Sequence, residues 1–322
     1  MNDDNFNQVE PNGKEPEEET RAILPPLSPT ATAFIALIGI FLLYQVGGAL
    51  LTIAIFGFDI EKADMNALRL LTAGGQILLM LLPTLVLAHY VYKQKTSFVL
   101  RTKKTSFKEA GLFIVGLILL LPVLQNFLAV QNFIIKKIAD ASPAIKSLTD
   151  LLDQLDKLVE KTYGGLLTAH SVFEGFLIIT IVAVIPALCE ETLFRGLVQK
   201  SFELKFKPHL SILITSIFFG LYHFNPYGLI ALISLGAYFG FAAYMSESIL
   251  VPMSLHFLNN LLSVLAYFIL GSDELISSAP SKSDLVLPQL LGFFIFAALF
   301  FSYVYYLKKN YHKIVTIKKE ET

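Results

Sequence analysis

The chain contains a single cysteine, Cys189, which rules out an internal disulfide framework and any multi-cysteine metal site. It is also poor in charge: 16% of its 322 residues are Asp, Glu, Lys or Arg, where soluble domains carry roughly 25%. No basic excess compensates, because the formal net charge is −1, and without a basic patch to displace counterions no nucleic-acid partner is expected. A signal peptide is missing too. The first apolar run begins near Thr30, lacks a basic stretch ahead of it and is too long for a signal-peptide core. What fills the chain instead is apolar: 54% hydrophobic residues, 27 Phe and a mean hydropathy of +0.62. That balance describes a polytopic membrane protein.

Residues 1–28 form an acidic tail, with Asp3, Asp4, Glu10, Glu15, Glu17, Glu18 and Glu19 and too little apolar content to fold alone, so disorder is expected. Residues 29–138 hold three spans (31–56, 70–92 and 110–135), each long enough to cross a core of about 30 Å at 1.5 Å per residue. Residues 139–170 change character. Ile145, Leu148, Leu151, Leu152, Leu155, Leu158 and Val159 recur at helical spacing among Asp150, Asp153, Asp156, Lys157 and Glu160, which predicts an amphipathic helix beside the membrane or packed as a connector. Residues 171–270 read as a fourth helix from near Ser171 with Pro186 inside it, a short fifth (210–224), a sixth (229–244) and a seventh (249–270). Residues 271–322 supply an eighth span and a basic tail. The expected fold is all-α, about eight transmembrane helices around an intramembrane polar cavity. Fifteen residues in the fifth segment rise only about 22 Å, so the turn Phe224-Asn225-Pro226-Tyr227-Gly228 is expected within the membrane, where protein must satisfy its backbone.

Positive charge orients this arrangement. Lys93, Lys95, Arg101, Lys103, Lys104 and Lys108 follow the second span, Lys200, Lys205 and Lys207 the fourth, and Lys308, Lys309, Lys313, Lys318 and Lys319 the eighth. With eight spans all three groups fall on one side, and the positive-inside rule makes that side, and both termini, cytoplasmic. The amphipathic helix then lies outside, although Lys136, Lys137, Lys146, Lys157 and Lys161 run against the rule there.

The apolar stretch 175–189 carries no charge and is followed at once by Glu190, Glu191 and Arg195. Ionisable groups at membrane depth cost a few kcal/mol each and face polar cavities, which makes them functional candidates. Glu191 and Arg195 are i,i+4 neighbours able to pair, while Glu190, about 100° further round, points elsewhere. Two more polar groups interrupt later spans: Phe219 to His223, and His256 with Asn260 on one helical face. Each has a structural reading alone, as an ion pair, a packed histidine or a bridging amide. Together they supply a base, imidazoles and a carboxamide, the parts needed to activate water and stabilise an oxyanion.

Glu-Glu-x-x-x-Arg, Phe-x-x-x-His and His-x-x-x-Asn, in this order over residues 175–263, resemble the CAAX prenyl protease and bacteriocin-processing (CPBP) family of intramembrane proteases. The resemblance implies an intramembrane endopeptidase of a bacterial inner membrane, cleaving a membrane-associated protein or peptide within the lipid bilayer. Glu190, assisted by His223, would activate water; His256 and Asn260 would form the oxyanion site; Glu191, Arg195 and Phe219 would support them. The choice of Glu190 over Glu191 as base comes from the family and not from spacing. No cofactor is expected. The alternative chemistry is zinc held by Glu190, His223 and His256, since two histidines, a glutamate and water form a known catalytic set. The alternative from another class is a non-catalytic scaffold that holds a peptide or lipid in the same cavity. A transporter fits less well, because the hydropathy shows no inverted repeat.

Overall fold

The computed structural model describes residues 26–59, 63–270 and 286–316. Most of the acidic tail, the 271–285 connection and the end of the basic tail with Lys318 and Lys319 lie outside the described residues.

Nine helices follow one another there: α1 Pro29–Phe56, α2 Met65–Val99, α3 Phe107–Ala141, α4 Pro143–Leu167, α5 Val172–Glu203, α6 Pro208–Tyr222, α7 Leu229–Ser246, α8 Leu250–Leu270 and α9 Val286–Thr316. No strand forms among the described residues, only a single bridging pair between Thr102 and Ser248. Seven helices are long and apolar enough to cross a membrane, and the 15-residue α6 is not. The all-α polytopic expectation therefore holds, with seven full-length spans and, as the sequence predicts, a short helix between the fourth and sixth segments.

Sequence signals place the helix ends. Ser28, Asp64, Ser106 and Ser171 each accept a hydrogen bond from a backbone N–H in the first turn of α1, α2, α3 and α5, satisfying donors that a helix start leaves open. Pro143 and Pro208 open α4 and α6, where a missing N–H does no harm. Large apolar side chains such as Leu50, Ile55, Val86, Phe176, Phe294 and Phe301 stand exposed along the spans. On a soluble protein that surface would aggregate; around a bundle of spans it meets lipid.

Two apolar cores build the bundle. One joins α1, α2, α5 and α6 through Leu37, Met80, Val91, Leu193, Phe194, Phe202 and Phe219. The other joins α3, α7, α8 and α9 through Phe113, Leu117, Tyr238, Phe239, Leu255 and Leu307. Helices α5 and α7 meet where these cores adjoin, and the polar residues of α5 lie there.

Helix α4 forms as the periodicity predicts, but its facing is mixed, with Ile145 and Leu152 half-buried and Asp150, Asp153 and Lys157 exposed. Asp156 is buried and Tyr227 donates a hydrogen bond to Asp153, whereas Leu148, Leu151 and Leu155 are exposed. The last turn of α4 is held by Arg69 of α2, whose Nε donates to the Leu166 carbonyl at 2.9 Å and whose guanidinium also reaches the carbonyls of Gly165 and Thr168. Hydrogen bonding of the polar face to the protein, with no requirement to bury leucine, sets this orientation.

Candidate functional site

Helix α5 runs unbroken past Glu190 and Glu191 to Glu203. Its α-helical stretch Ile185–Glu191 lies between two π-helical stretches, Thr180–Val184 and Thr192–Val198. Such widened turns shift the facing of the residues beyond them and are frequent at functional sites. Glu190 and Glu191 diverge around the axis and enter different surroundings.

Glu191 is completely buried. Its Oε1 accepts from the Arg195 guanidinium at 2.8 Å and from His256 Nδ1 at 2.7 Å. Arg195, also completely buried, donates a second bond to the Gly236 carbonyl at 3.0 Å. Its guanidinium lies 4.3 Å from the centre of the Phe219 ring and 5.4 Å from that of Phe239. His256 stacks on Phe239 with ring centres 5.6 Å apart. Charge removed from water in this way is tolerable only with partners of opposite sign and good hydrogen bonds; aromatic faces add attraction for the cation.

The second glutamate differs. Glu190 Oε2 is 3.9 Å from His223 Nε2, and the two side chains are 14% and 26% exposed. His223 Nδ1 is 2.7 Å from the Phe219 carbonyl, which can only accept, so Nδ1 carries the hydrogen. In the neutral ring Nε2 is then a free acceptor facing a carboxylate. Helix α1 anchors this corner, with Tyr222 Oη donating to the Leu37 carbonyl and Gln45 Nε2 to the Tyr222 carbonyl at 3.3 Å. The turn after His223 closes with the Gly228 N–H donating to Asn225 Oδ1 at 2.7 Å and Gln131 Nε2 donating to the Tyr227 carbonyl at 2.8 Å. Its backbone polar groups are met by protein, as a turn at membrane depth requires.

Asn260 bridges helices: its Nδ2 donates to the Val182 carbonyl of α5 at 2.9 Å, and its Oδ1 accepts from Asn259. Phe219, buried, connects the two halves, its ring 4.7 Å from that of His223 and 5.9 Å from that of His256.

The structure therefore brings Glu190 to His223, and His256 to Glu191. The zinc alternative needs Glu190 beside both imidazoles, and only His223 is paired with it. His256 rises on α8 opposite the other side of α5 and takes the carboxylate already aligned by Arg195. The same division separates the trio named for zinc, and among the described residues no group of three or more His, Cys, Asp or Glu is arranged to hold a metal ion.

Sequence reasoning missed Gly236 and Gly240. Their carbonyls accept from Arg195 and from Gln199 Nε2, each at 3.0 Å. A Cβ on Gly236 would lie 2.9 Å from Phe219, and one on Gly240 2.7 Å from Gln199. Only glycine lets α7 approach α5 this closely. The signal was the Gly-x-x-x-Gly spacing, which permits close helix contact in membranes.

An all-α bundle of membrane spans with a carboxylate–imidazole pair and a buried Glu–Arg–His group between its helices defines a class, the polytopic membrane proteins with an internal polar site. Residues 172–262 match the family model described as Type II CAAX prenyl endopeptidase Rce1-like. The matched segment carries all three motifs and bears out the resemblance to the CPBP family over that core. No curated protein and no solved structure matches the chain.

Proposed function

We propose that this protein is an intramembrane endopeptidase that cleaves a membrane-associated protein or peptide with water activated by Glu190. The observation that carries the reading is the Glu190–His223 pair. Two acceptors, Glu190 Oε2 and His223 Nε2, face each other at 3.9 Å, beyond a direct hydrogen bond and within reach of one shared water. A water donating a hydrogen to each turns its lone pairs outward, toward a substrate carbonyl. As its oxygen attacks, Glu190 takes one proton and later passes it to the leaving amine. The Nδ1–H to Phe219 carbonyl bond holds the His223 ring in place. His256, held through Nδ1 by Glu191, supplies an oxyanion donor when its Nε2 carries a hydrogen, and the second amide N–H of Asn260 is the other. Glu191, Arg195 and Phe219 position His256. The lysine-rich loops support an inner-membrane location with both termini cytoplasmic, in a bacterial-type membrane.

The test uses purified protein reconstituted in lipid with a peptide-bearing membrane substrate. Glu190→Gln keeps the shape and removes the base, and activity is expected to fall about 10³-fold. Wild-type turnover by the mutant would sink the mechanism and favour a scaffold. A strong chelator is expected to leave wild-type turnover unchanged, and its loss, restored by added zinc, would identify the metal-dependent version.

A further inference from the structure

A second polar site lies at the opposite end of α5 from Ser171. The end of α2, the 100–106 loop, the Glu203 end of α5 and the Ser246–Leu250 corner surround a cavity of about 400 Å³ lined by Ser97, Phe98, Arg101, Lys103, Lys200 and Glu247. Three cations and one carboxylate line it, and Glu203 behind them pairs with both Arg101 and Lys200, leaving Lys103 as the excess charge.

The lining is built and rigid. Arg101 is 2% exposed and Lys200 7%. Arg101 pairs with Glu203 at 2.5 Å and donates to the Ala243 carbonyl, and Lys200 pairs with Glu247 at 2.7 Å. These contacts leave the buried Nε–H of Arg101 with no partner, and Lys103 has no ion-pair partner among the described residues. The loop is clamped by the Ile249 N–H to the Arg101 carbonyl at 2.9 Å and by Ser248 Oγ to the Lys103 carbonyl at 2.6 Å. Arg101 and Glu247 both adopt left-handed backbone, at φ 52° and 51°. Such strain is retained where surrounding structure over-determines it, often at ligand clamps.

A buried donor without a partner costs free energy that a bound acceptor recovers. Uncompensated positive charge at Lys103, a guanidinium N–H and the Ser97 hydroxyl match an anionic oxygen cluster. The half-exposed Phe98, with Lys200 Nζ 4.5 Å from its ring centre, offers an apolar wall beside it. The cavity sits at the ends of spans on the lysine-rich side, where lipid phosphates gather. We propose that it binds a phosphate group, supplied by an anionic phospholipid headgroup or by a free phosphate, and so ties the 100–106 loop to the helix carrying Glu190. This site is independent of the hydrolytic reading.

The experiment is thermal unfolding of the full-length protein in neutral detergent, followed by reaction of a thiol-reactive fluorophore with the buried Cys189. Short-chain phosphatidylglycerol, short-chain phosphatidylcholine and inorganic phosphate are titrated separately. Saturable stabilisation by about 3 °C or more is expected with phosphatidylglycerol and not with phosphatidylcholine. A lipid source is assigned if inorganic phosphate gives no shift, and a free anion if it gives the same shift. Lys103→Ala is expected to weaken binding about tenfold, the loss of one charge-assisted contact, while Lys104→Ala, beside it but outside the cavity, leaves it unchanged. No saturable shift with either anion, or equal weakening by the two lysine variants, overturns the proposal.

Discussion

Glu190 and Glu191 are adjacent on one helix, yet the protein treats them in opposite ways. Glu191 is sealed from solvent with two strong partners on one oxygen, in a pocket walled by Phe219 and Phe239. Glu190 keeps partial exposure, stands opposite one imidazole and has an Oε2 with no hydrogen-bond partner among the described residues. A carboxylate sealed from water that shares one oxygen between a guanidinium and an imidazole contributes architecture, although its other oxygen, Oε2, has no partner among the described residues; one that is partly exposed beside a single imidazole can move a proton. The difference teaches that charge at membrane depth does not mark chemistry by itself, because its partners decide the role.

Breaking the buried half is expected to unfold the protein. Arg195→Met leaves Glu191 buried without its cation and is predicted to cost about 3–5 kcal/mol of stability. Thiol labelling of Cys189 during heating measures it, and an unchanged midpoint would show that His256 alone suffices. Glu190→Gln should by contrast leave that midpoint within about 0.5 kcal/mol of wild type while activity falls, the usual range for a change that removes no packing. Comparable destabilisation by both variants would erase the distinction between the two glutamates.

Gly236→Ala probes the contact that holds Arg195. The added Cβ would press on Phe219 at 2.9 Å and approach the guanidinium at 3.3 Å, with an expected cost of about 1–3 kcal/mol. Activity per folded molecule should fall as well, since Phe219 touches both imidazoles; full activity at reduced stability would detach Phe219 from the reaction. The mildest change, Tyr227→Phe, removes the bond to Asp153 and is predicted to cost about 1 kcal/mol. Faster proteolysis within α4, without loss of the global unfolding midpoint, would reveal a locally released helix.

Much of this architecture was legible beforehand because a membrane imposes simple rules. Long apolar runs must be helices, since the bilayer core offers no other partner for the backbone. Thus the spans at 31–56 and 110–135 reappear within α1 and α3, longer at their ends because Ser28 and Ser106 cap them. The short α6 was equally plain from its length. The i,i+4 pairing of Glu191 with Arg195 followed from helical geometry and is present at 2.8 Å.

Other features depend on how helices meet. Spacing along α5 and α8 says nothing about which of two neighbouring carboxylates His256 reaches, because that rests on the relative rotation of two helices whose contacting residues, Glu191 and His256, are 65 positions apart. Nor does periodicity reveal that α4 turns Asp156 inward and Leu148, Leu151 and Leu155 outward, with Asp153 exposed at the edge where it meets Tyr227. In water the opposite orientation would be the default; here hydrogen bonds to Tyr227 and the hold of Arg69 outweigh it.

Local chemistry, then, settles where this chain can cross a bilayer, where its helices begin and which residues are chemically able to move a proton. It does so because backbone satisfaction and helical pitch act within a few residues. The roles within the site belong to the packed bundle. Gly236 lets α7 close on Arg195, Arg195 aligns Glu191, Glu191 claims His256, and Glu190 is left facing His223. Each of those links joins side chains whose partners are chosen by distance in space, a quantity that order along the chain does not encode.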